Sequence, residues 1–208
     1  EIFDFSFESH PNLTSEEQLQ TLYDLGSRRN SFGIQDYDPK VQKAIHRVQS
    51  FEQVKKVHDL SRKIGYESIS HDLIFGLPFQ TEESIRTTIK NTIALKPDRI
   101  SYYSYAHVPW IKGVGQRGFE DSDLPKDSEK RHLYELGKQL FFDNGYVEVG
   151  MDHFALPSDS LHEAMEAKKL HRNFMGYTAG KTELMIGLGM SSISDSWYAF
   201  AQNEKDID

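Results

Sequence analysis

The stretch Ser68-Ile69-Ser70-His71-Asp72-Leu73-Ile74-Phe75-Gly76-Leu77-Pro78 decides the fold class. Residues 68–75 read as a strand, and Gly76-Leu77-Pro78 reads as the turn that ends it. Upstream, Val54, Val57, Leu60 and Ile64 form the apolar stripe of a helix that Gly65 terminates. Downstream, a second helix starts near Thr81, carries Ile85, Ile89 and Ile93 at intervals of four, and stops before Pro97. A strand over residues 99–105 follows. Helices and strands alternating in this rhythm predict a parallel sheet with right-handed crossovers.

The same unit recurs on both sides. Toward the N-terminus a strand-like run over residues 2–7 precedes a helix with Thr14 and Glu17 at capping-box spacing. Leu19, Leu22 and Tyr23 share its face, Gly26 ends it, and a strand over residues 30–34 follows. Toward the C-terminus a helix starts near Ser128, presents Leu133, Leu136, Leu140 and Phe141, and stops at Asn144-Gly145 before a strand over residues 146–149. The expectation is an α/β fold, a (β/α) barrel or part of one, with an open doubly wound sheet as the second choice. No GxGxxG follows the early strands, which weakens a dinucleotide-binding version. After about Gly150 the repeat stops. The expected division is a partial barrel over residues 1–150 and an accessory segment over residues 151–208, packed on the barrel and truncated. That segment holds a short charged helix over residues 159–169.

Composition narrows the function classes. The 208 residues carry a formal net charge of −8, with 38% hydrophobic and 12% aromatic residues. That is enough apolar material for one well-buried core. The acidic balance argues against a nucleic-acid backbone or an anionic membrane as partner. No apolar run is long enough to span a membrane as a helix. The chain has no Cys, which removes disulfides, thiolate nucleophiles and thiolate metal sites. The opening at Glu1 in a strand-like run and the polar finish over residues 203–208 read as a piece of a longer chain.

In a parallel barrel the residues just past the strand ends converge on the ligand-binding face. Here they form a polar series: Glu8-Ser9-His10, Gln35-Asp36, His71-Asp72, Ala106-His107 and Asp152-His153. By residue type the series suits a metal-dependent hydrolase, because His and carboxylate groups on successive strands can hold a water-activating ion. No two histidines have chelating spacing on one strand. The series equally suits a barrel that binds an elongated polar cofactor.

At these residues the sequence resembles the oxygen-independent coproporphyrinogen III oxidases (coproporphyrinogen dehydrogenases), a radical S-adenosylmethionine family of haem and porphyrin biosynthesis. The matching segments are Ser31-Phe32-Gly33-Ile34-Gln35-Asp36-Tyr37, Asp72 to Pro78, and Tyr105-Ala106-His107-Val108-Pro109. They continue with Gly150-Met151-Asp152-His153-Phe154-Ala155, Leu170 to Thr178, and Gly189-Met190-Ser191-Ser192-Ile193-Ser194. The first two are shared with a related haem-chaperone family, whereas the Ala-His-Val-Pro, Met-Asp-His-Phe and His-Arg-Asn-Phe segments are more specific to the oxidases.

The resemblance implies a partial (β/α)6 barrel holding the third to sixth strands. It implies a cytoplasmic enzyme that decarboxylates two propionates of coproporphyrinogen III to vinyl groups, giving protoporphyrinogen IX. A 4Fe-4S cluster, fed by an electron donor, reduces S-adenosylmethionine, and a 5′-deoxyadenosyl radical takes hydrogen from the propionate. Glu8, Gln35, Arg47, Asp72, Ala106 and Ile193 match the family's S-adenosylmethionine contacts. A carboxylate and a bidentate cation suit the amino and carboxylate groups of a methionine. Arg117 and Arg172 match positions suited to the substrate propionates. His107, Asp152 and His153 are candidates for proton handling. The family's cluster is held by a CxxxCxxC motif that this chain lacks, so the isolated 208 residues are expected to be inactive. Two alternatives stay open at this point: a non-catalytic haem- or porphyrin-binding relative, and the metal-dependent hydrolase. An unpaired edge at residues 2–7, exposing Phe3, Phe5 or Phe7, predicts poor solubility or self-association.

Overall fold

The computed structural model describes residues 4–108, 110, 119–173, 176–181 and 183–205. The chain divides into two compact units, Glu1–Leu156 and Pro157–Asp208.

The first unit is an α/β sheet with a helical layer. Its strands are β1 (Ser6–Ser9), β2 (Arg29–Gln35), β3 (Ser68–Phe75), β4 (Arg99–Ser104), β5 (Val147–Gly150) and β6 (His153–Ala155). Its helices are α1 (Glu16–Asp24), α2 (Pro39–Ala44), α3 (Phe51–Ile64), α4 (Glu82–Leu95) and α5 (Asp127–Asp143). The strands lie in the order β1-β2-β3-β4-β6-β5. The first four are mutually parallel.

Helices α1, α3 and α4 each begin at a side chain that satisfies a first-turn amide group. Ser50 with Gln53, and Thr81 with Ser84, close reciprocal capping boxes on α3 and α4. The short α2 starts at Asp38-Pro39, where Asp38 accepts from the amides of Lys40 and Val41 and proline supplies a preset φ. Gly65 ends α3 at φ +115, a conformation that a side chain would strain.

Burial alternates along β2 and β3, so one face is apolar and covered by helices. Phe32, Ile34, Ile69, Leu73, Ile100 and Tyr102 pack there against Val54, Val57, Ile85, Ile89, Leu133 and Phe141. At roughly 1.5–3 kcal/mol for each fully buried large apolar side chain, this face is what makes the register worth holding. Gly137 lets α5 approach β4, because a Cβ there would lie 2.7 Å from the ring and hydroxyl of Tyr102.

Three expectations change. The first capping box uses Ser15 and Gln18, one residue later than Thr14 and Glu17. The last strand of the series does not extend the parallel sheet. Gly150 and Met151, at φ +159 and +47, turn β5 into a hairpin, and β6 pairs antiparallel with β4. His153–Ala155 thus joins the first sheet rather than the segment after Gly150. Phe7 is half-buried with its ring 5.9 Å from that of Tyr66, so it is not an exposed edge residue. Phe3 lies outside the described residues.

The second unit contains α6 (Ser160–Glu166), the hairpin β7 (His171–Asn173) and β8 (Gly176–Thr178), and an antiparallel sheet of β9 (Leu184–Met185), β10 (Ile193–Ser196) and β11 (Ala199–Gln202). Leu184, Trp197, Tyr198 and Phe200 are exposed in it. Among the described residues no helix is long and apolar enough to cross a membrane.

Candidate functional site

The alternation that buries Phe32 and Leu73 sends Ser31, Gly33, Ser70, Asp72, Ser101 and Tyr103 to the opposite, polar face. Parallel register places them in a row: Gly33 beside Asp72, and Asp72 beside Ser101. Asp72 is the centre of this row. Ser31 on β2 donates to its Oδ2 at 2.6 Å, and Ser70 and Ser101 also bond it, so three neighbouring strands each supply one hydroxyl. Burial raises its carboxyl above the ordinary range, although the serine bonds and the charge of Arg47 act in the other direction.

Glu8 enters from β1, where its register partner is Ser31. Desolvation, followed by the charge of Asp72, raises its carboxyl. A carboxylate that feels the charge of another favours a cation nearby.

Arg47 is the cation the chain itself supplies. It follows α2, whose last turn folds back so that the Arg47 amide donates to Gln42 O at 2.9 Å. Its Nη2 donates to Gly33 O at 2.9 Å. The guanidinium lies over the Cα of Gly33, where an added Cβ would come within 2.7 Å of Nη2 and 3.0 Å of Gln35 Nε2. Burial lowers the pKa of Arg47 and Asp72 opposes the shift. Its Nε is buried and has no hydrogen-bond partner. A buried guanidinium donor left unmade is costly, and an incoming anion would remove that cost.

Gln35 reaches the polar face through a bulge. Gly33 pairs with Asp72 and Gln35 with Leu73, leaving Ile34 as an extra residue on β2. Glu8, Gln35, Arg47 and Asp72 thus meet in one place. A pair of carboxylates beside a guanidinium and an amide is complementary to a zwitterion such as an amino acid head group.

The remaining expected residues occupy three positions. Ala106 is exposed just past β4, in a segment held by Tyr105 N donating to Phe75 O at 2.8 Å and Lys130 Nζ donating to Tyr105 O at 2.7 Å. His107 there lies 3.3 Å from Tyr105 Oη and 3.0 Å from Asp121 Oδ1. Asp152 and His153 sit at the hairpin turn, where His153 is the register partner of Ser101 and lies 3.5 Å from Tyr103 Oη. Arg172, on β7, has its guanidinium 5.7 Å from the Tyr177 ring centroid, and Ile193 begins β10; both belong to the second unit. Arg117 lies outside the described residues.

The polar strand-end series is not one cluster. His71 points to the helical side, fully buried, with its Nε2 3.1 Å from His58 Nδ1. Asp36 also turns inward and is fully buried. Successive side chains on a strand face opposite ways, so His71 and Asp72 cannot both line the site. Among the described residues no three His, Cys, Asp or Glu side chains are grouped to hold a metal ion, so the hydrolase arrangement is not formed there. Sequence reading passed over the serine cradle of Asp72. The alternation Ser68-x-Ser70-x-Asp72 was its available signal.

Comparison with known proteins shows what the chain is similar to. Residues 1–91 match the model of the radical SAM superfamily. The chain is 42% identical over 200 residues to the oxygen-independent coproporphyrinogen III oxidase of Paracoccus denitrificans, covering 96% of this chain and 44% of that protein. It is 41% identical over 204 residues to the Helicobacter pylori strain J99 protein of the same name, covering 98% and 44% respectively. Among solved structures, the coproporphyrinogen III oxidase of Escherichia coli, described as a radical SAM enzyme, superposes with a TM-score of 0.88 at 38% identity, over 98% of this chain and 46% of that one. The chain therefore spans less than half the length of these relatives.

Proposed function

The chain belongs to the radical SAM superfamily, among the oxygen-independent coproporphyrinogen III oxidases, and from that premise we propose that it forms the S-adenosylmethionine-gripping part of an enzyme that oxidatively decarboxylates coproporphyrinogen III to protoporphyrinogen IX. One observation carries the reading: the buried, unpartnered Nε of Arg47 beside Gln35 and the paired carboxylates Glu8 and Asp72.

In this assignment the residues fit the cofactor by charge. Arg47, with Gln35, holds the methionine carboxylate. Glu8 takes the ammonium group, and Asp72, oriented by its three serines, bonds a polar group of the same ligand. The backbone of Ala106 receives the adenine. When bound, S-adenosylmethionine with a 4Fe-4S cluster supplies one-electron chemistry for removing hydrogen from a propionate; this chain's own work is to bind, orient and exclude water. The cluster ligands lie outside the 208 residues, which contain no Cys, so the chain alone is inactive.

Arg117 and Arg172 are assigned to substrate propionates by the resemblance alone, and His107, Asp152 and His153 hold or move protons. The other partner is an electron donor to the cluster. The chain's formal charge of −8 argues against a nucleic-acid backbone or an anionic membrane as partner, and the proposed location is the cytoplasm.

Calorimetric titration with S-adenosylhomocysteine, which is redox-inert, tests the grip. Binding by the chain that weakens at least tenfold in Arg47→Met supports the reading, and binding indifferent to that change removes it. For the substrate, a protein containing this chain, reconstituted with iron and sulfide, releases CO2 from coproporphyrinogen III under anaerobic reduction. Consumption of S-adenosylmethionine without decarboxylation would reassign the substrate.

A further inference from the structure

Gln35 is held in a conformation that a non-glycine residue seldom adopts. Its φ is +67, and the amide of Asp36 donates to Ile34 O at 2.8 Å, which closes a three-residue γ-turn around it. Such backbone persists only where the surroundings over-determine it.

The surroundings here are a buried polar clamp centred on Asp36. Its Oδ1 accepts from Thr88 Oγ1 at 2.9 Å and from the Asp38 amide at 2.6 Å. Its Oδ2 accepts from Gln80 Nε2 at 2.6 Å. Gln80 is itself fixed, since the same Nε2 donates to Ile74 O at 2.7 Å and its Oε1 accepts from the Leu77 amide at 2.9 Å. Thr88 Oγ1 also accepts from the Tyr37 amide at 3.1 Å. On the other side Gln42 donates to Asp36 O at 2.8 Å and Gln49 donates to Ile34 O at 2.7 Å.

The clamp therefore joins three parts of the chain: the end of β2, the turn after β3, and α4. Both carbonyls that flank the γ-turn are occupied, and the Asp36 carboxylate accepts three donors. None of these groups faces the polar side of the sheet, so they do not touch a ligand there. What they control is where Gln35 Nε2 and Arg47 Nη2 come together over Gly33.

We infer that Asp36 is a positioning residue whose carboxylate, held between Thr88 and Gln80, locks the strained turn that presents Gln35 and, through the adjoining loop, Arg47 to the cofactor. The inference rests on the assignment of those two residues to S-adenosylmethionine. It gives the turn after β3, with Gln80 at its end, a part in ligand affinity although it contributes no contact.

S-adenosylhomocysteine affinity and urea stability are measured side by side on the wild-type chain and on Asp36→Asn, Thr88→Val, Thr88→Ser and Gly137→Ala. Asp36→Asn sets an amide nitrogen against Gln80 Nε2 or against the donors on Oδ1. Thr88→Val keeps the shape and deletes the hydroxyl, and Thr88→Ser keeps the hydroxyl. Gly137→Ala destabilises the core at Tyr102, whose hydroxyl bonds Leu133 O and no donor or acceptor of the clamp. The expected result is at least a tenfold loss of affinity in Asp36→Asn and Thr88→Val, near-wild-type affinity in Thr88→Ser, and near-wild-type affinity in Gly137→Ala despite its lower stability. Should Asp36→Asn not fold, the Thr88 pair decides alone. Wild-type affinity in Thr88→Val, or a loss in Gly137→Ala that matches its stability loss, overturns the inference. A wild-type chain that does not bind S-adenosylhomocysteine removes the cofactor assignment itself, and the inference with it.

Discussion

Arg47 lies across the backbone of Gly33, with Nη2 donating to the Gly33 carbonyl at 2.9 Å in the space a Cβ would otherwise fill. A side chain fourteen residues further along the chain is thereby brought to the middle of a strand's polar face. The contact depends on the absence of one methyl group.

Gly33→Ala should therefore separate binding from stability. The methyl meets the flexible end of Arg47 rather than backbone, so unfolding free energy should change by about 1 kcal/mol or less. S-adenosylhomocysteine affinity should fall at least tenfold, because the guanidinium must move. Calorimetry and urea denaturation on the same preparation check both halves. Unchanged affinity would mean that Arg47 has no fixed place over Gly33.

Gly137→Ala should show the opposite pattern. Its Cβ meets the ring of Tyr102, which is buried and holds its hydroxyl on Leu133 O at 3.0 Å. Overpacking of this kind costs roughly 1–3 kcal/mol. A urea midpoint equal to wild type would show that α5 can move off β4 freely.

The buried pair His58–His71 should make the fold sensitive to mild acid. Burial lowers His58 to about 4, with Arg62 and Lys55 adding to the shift and Asp59 opposing it. Burial and then the charges of His58 and Arg62 hold His71 well below its ordinary value. The unfolded chain protonates near pH 6.5 while the folded one does not, so the unfolded state binds more protons. Stability is fully present above about pH 6.5 and falls as the pH drops toward 4, by up to about 1.4 kcal/mol per pH unit for each histidine. The raised carboxyls of Asp36 and Asp72 act with the opposite sign. Urea midpoints of wild type and His71→Phe at pH 7 and pH 5 isolate the histidine part: the variant should lose less stability on acidification. An equal loss in both would assign the acid sensitivity elsewhere.

The charges of the site should respond to one another. Arg47→Met removes the cation that pulls Asp72 down, so the Asp72 carboxyl should titrate higher than in wild type. Asp72→Asn removes the anion beside Glu8, and the Glu8 carboxyl should fall back toward the ordinary glutamate range. Carbon-13 NMR titration of the side-chain carboxyls reads both. Independent titrations would mean that Glu8, Arg47 and Asp72 do not share one field.

Much of this was legible from local pattern. The isoleucines of α4, the stripe of α3 with Gly65 behind it, and the strand Ser68–Phe75 lie where periodicity and capping rules put them. The hairpin of β5 and β6 was not, because a turn through Gly150 and Met151 reverses a chain whose strand residues look the same in either direction. The Asp38-Pro39 start of α2 was a readable signal that a six-residue helix precedes Arg47.

By itself the sequence determined the alternation of helices and strands, the absence of thiolate ligands and the family segments that name a chemistry. These are properties of neighbouring residues and of composition. Only the tertiary structure decided that Asp72 lines the polar face while His71 is buried against His58, and that Asp36 braces Gln35 from behind. The pleat guarantees that adjacent side chains point to opposite sides. Which side the helices cover, and which residues of distant strands stand in register, is settled only when the sheet pairs and its apolar face is buried.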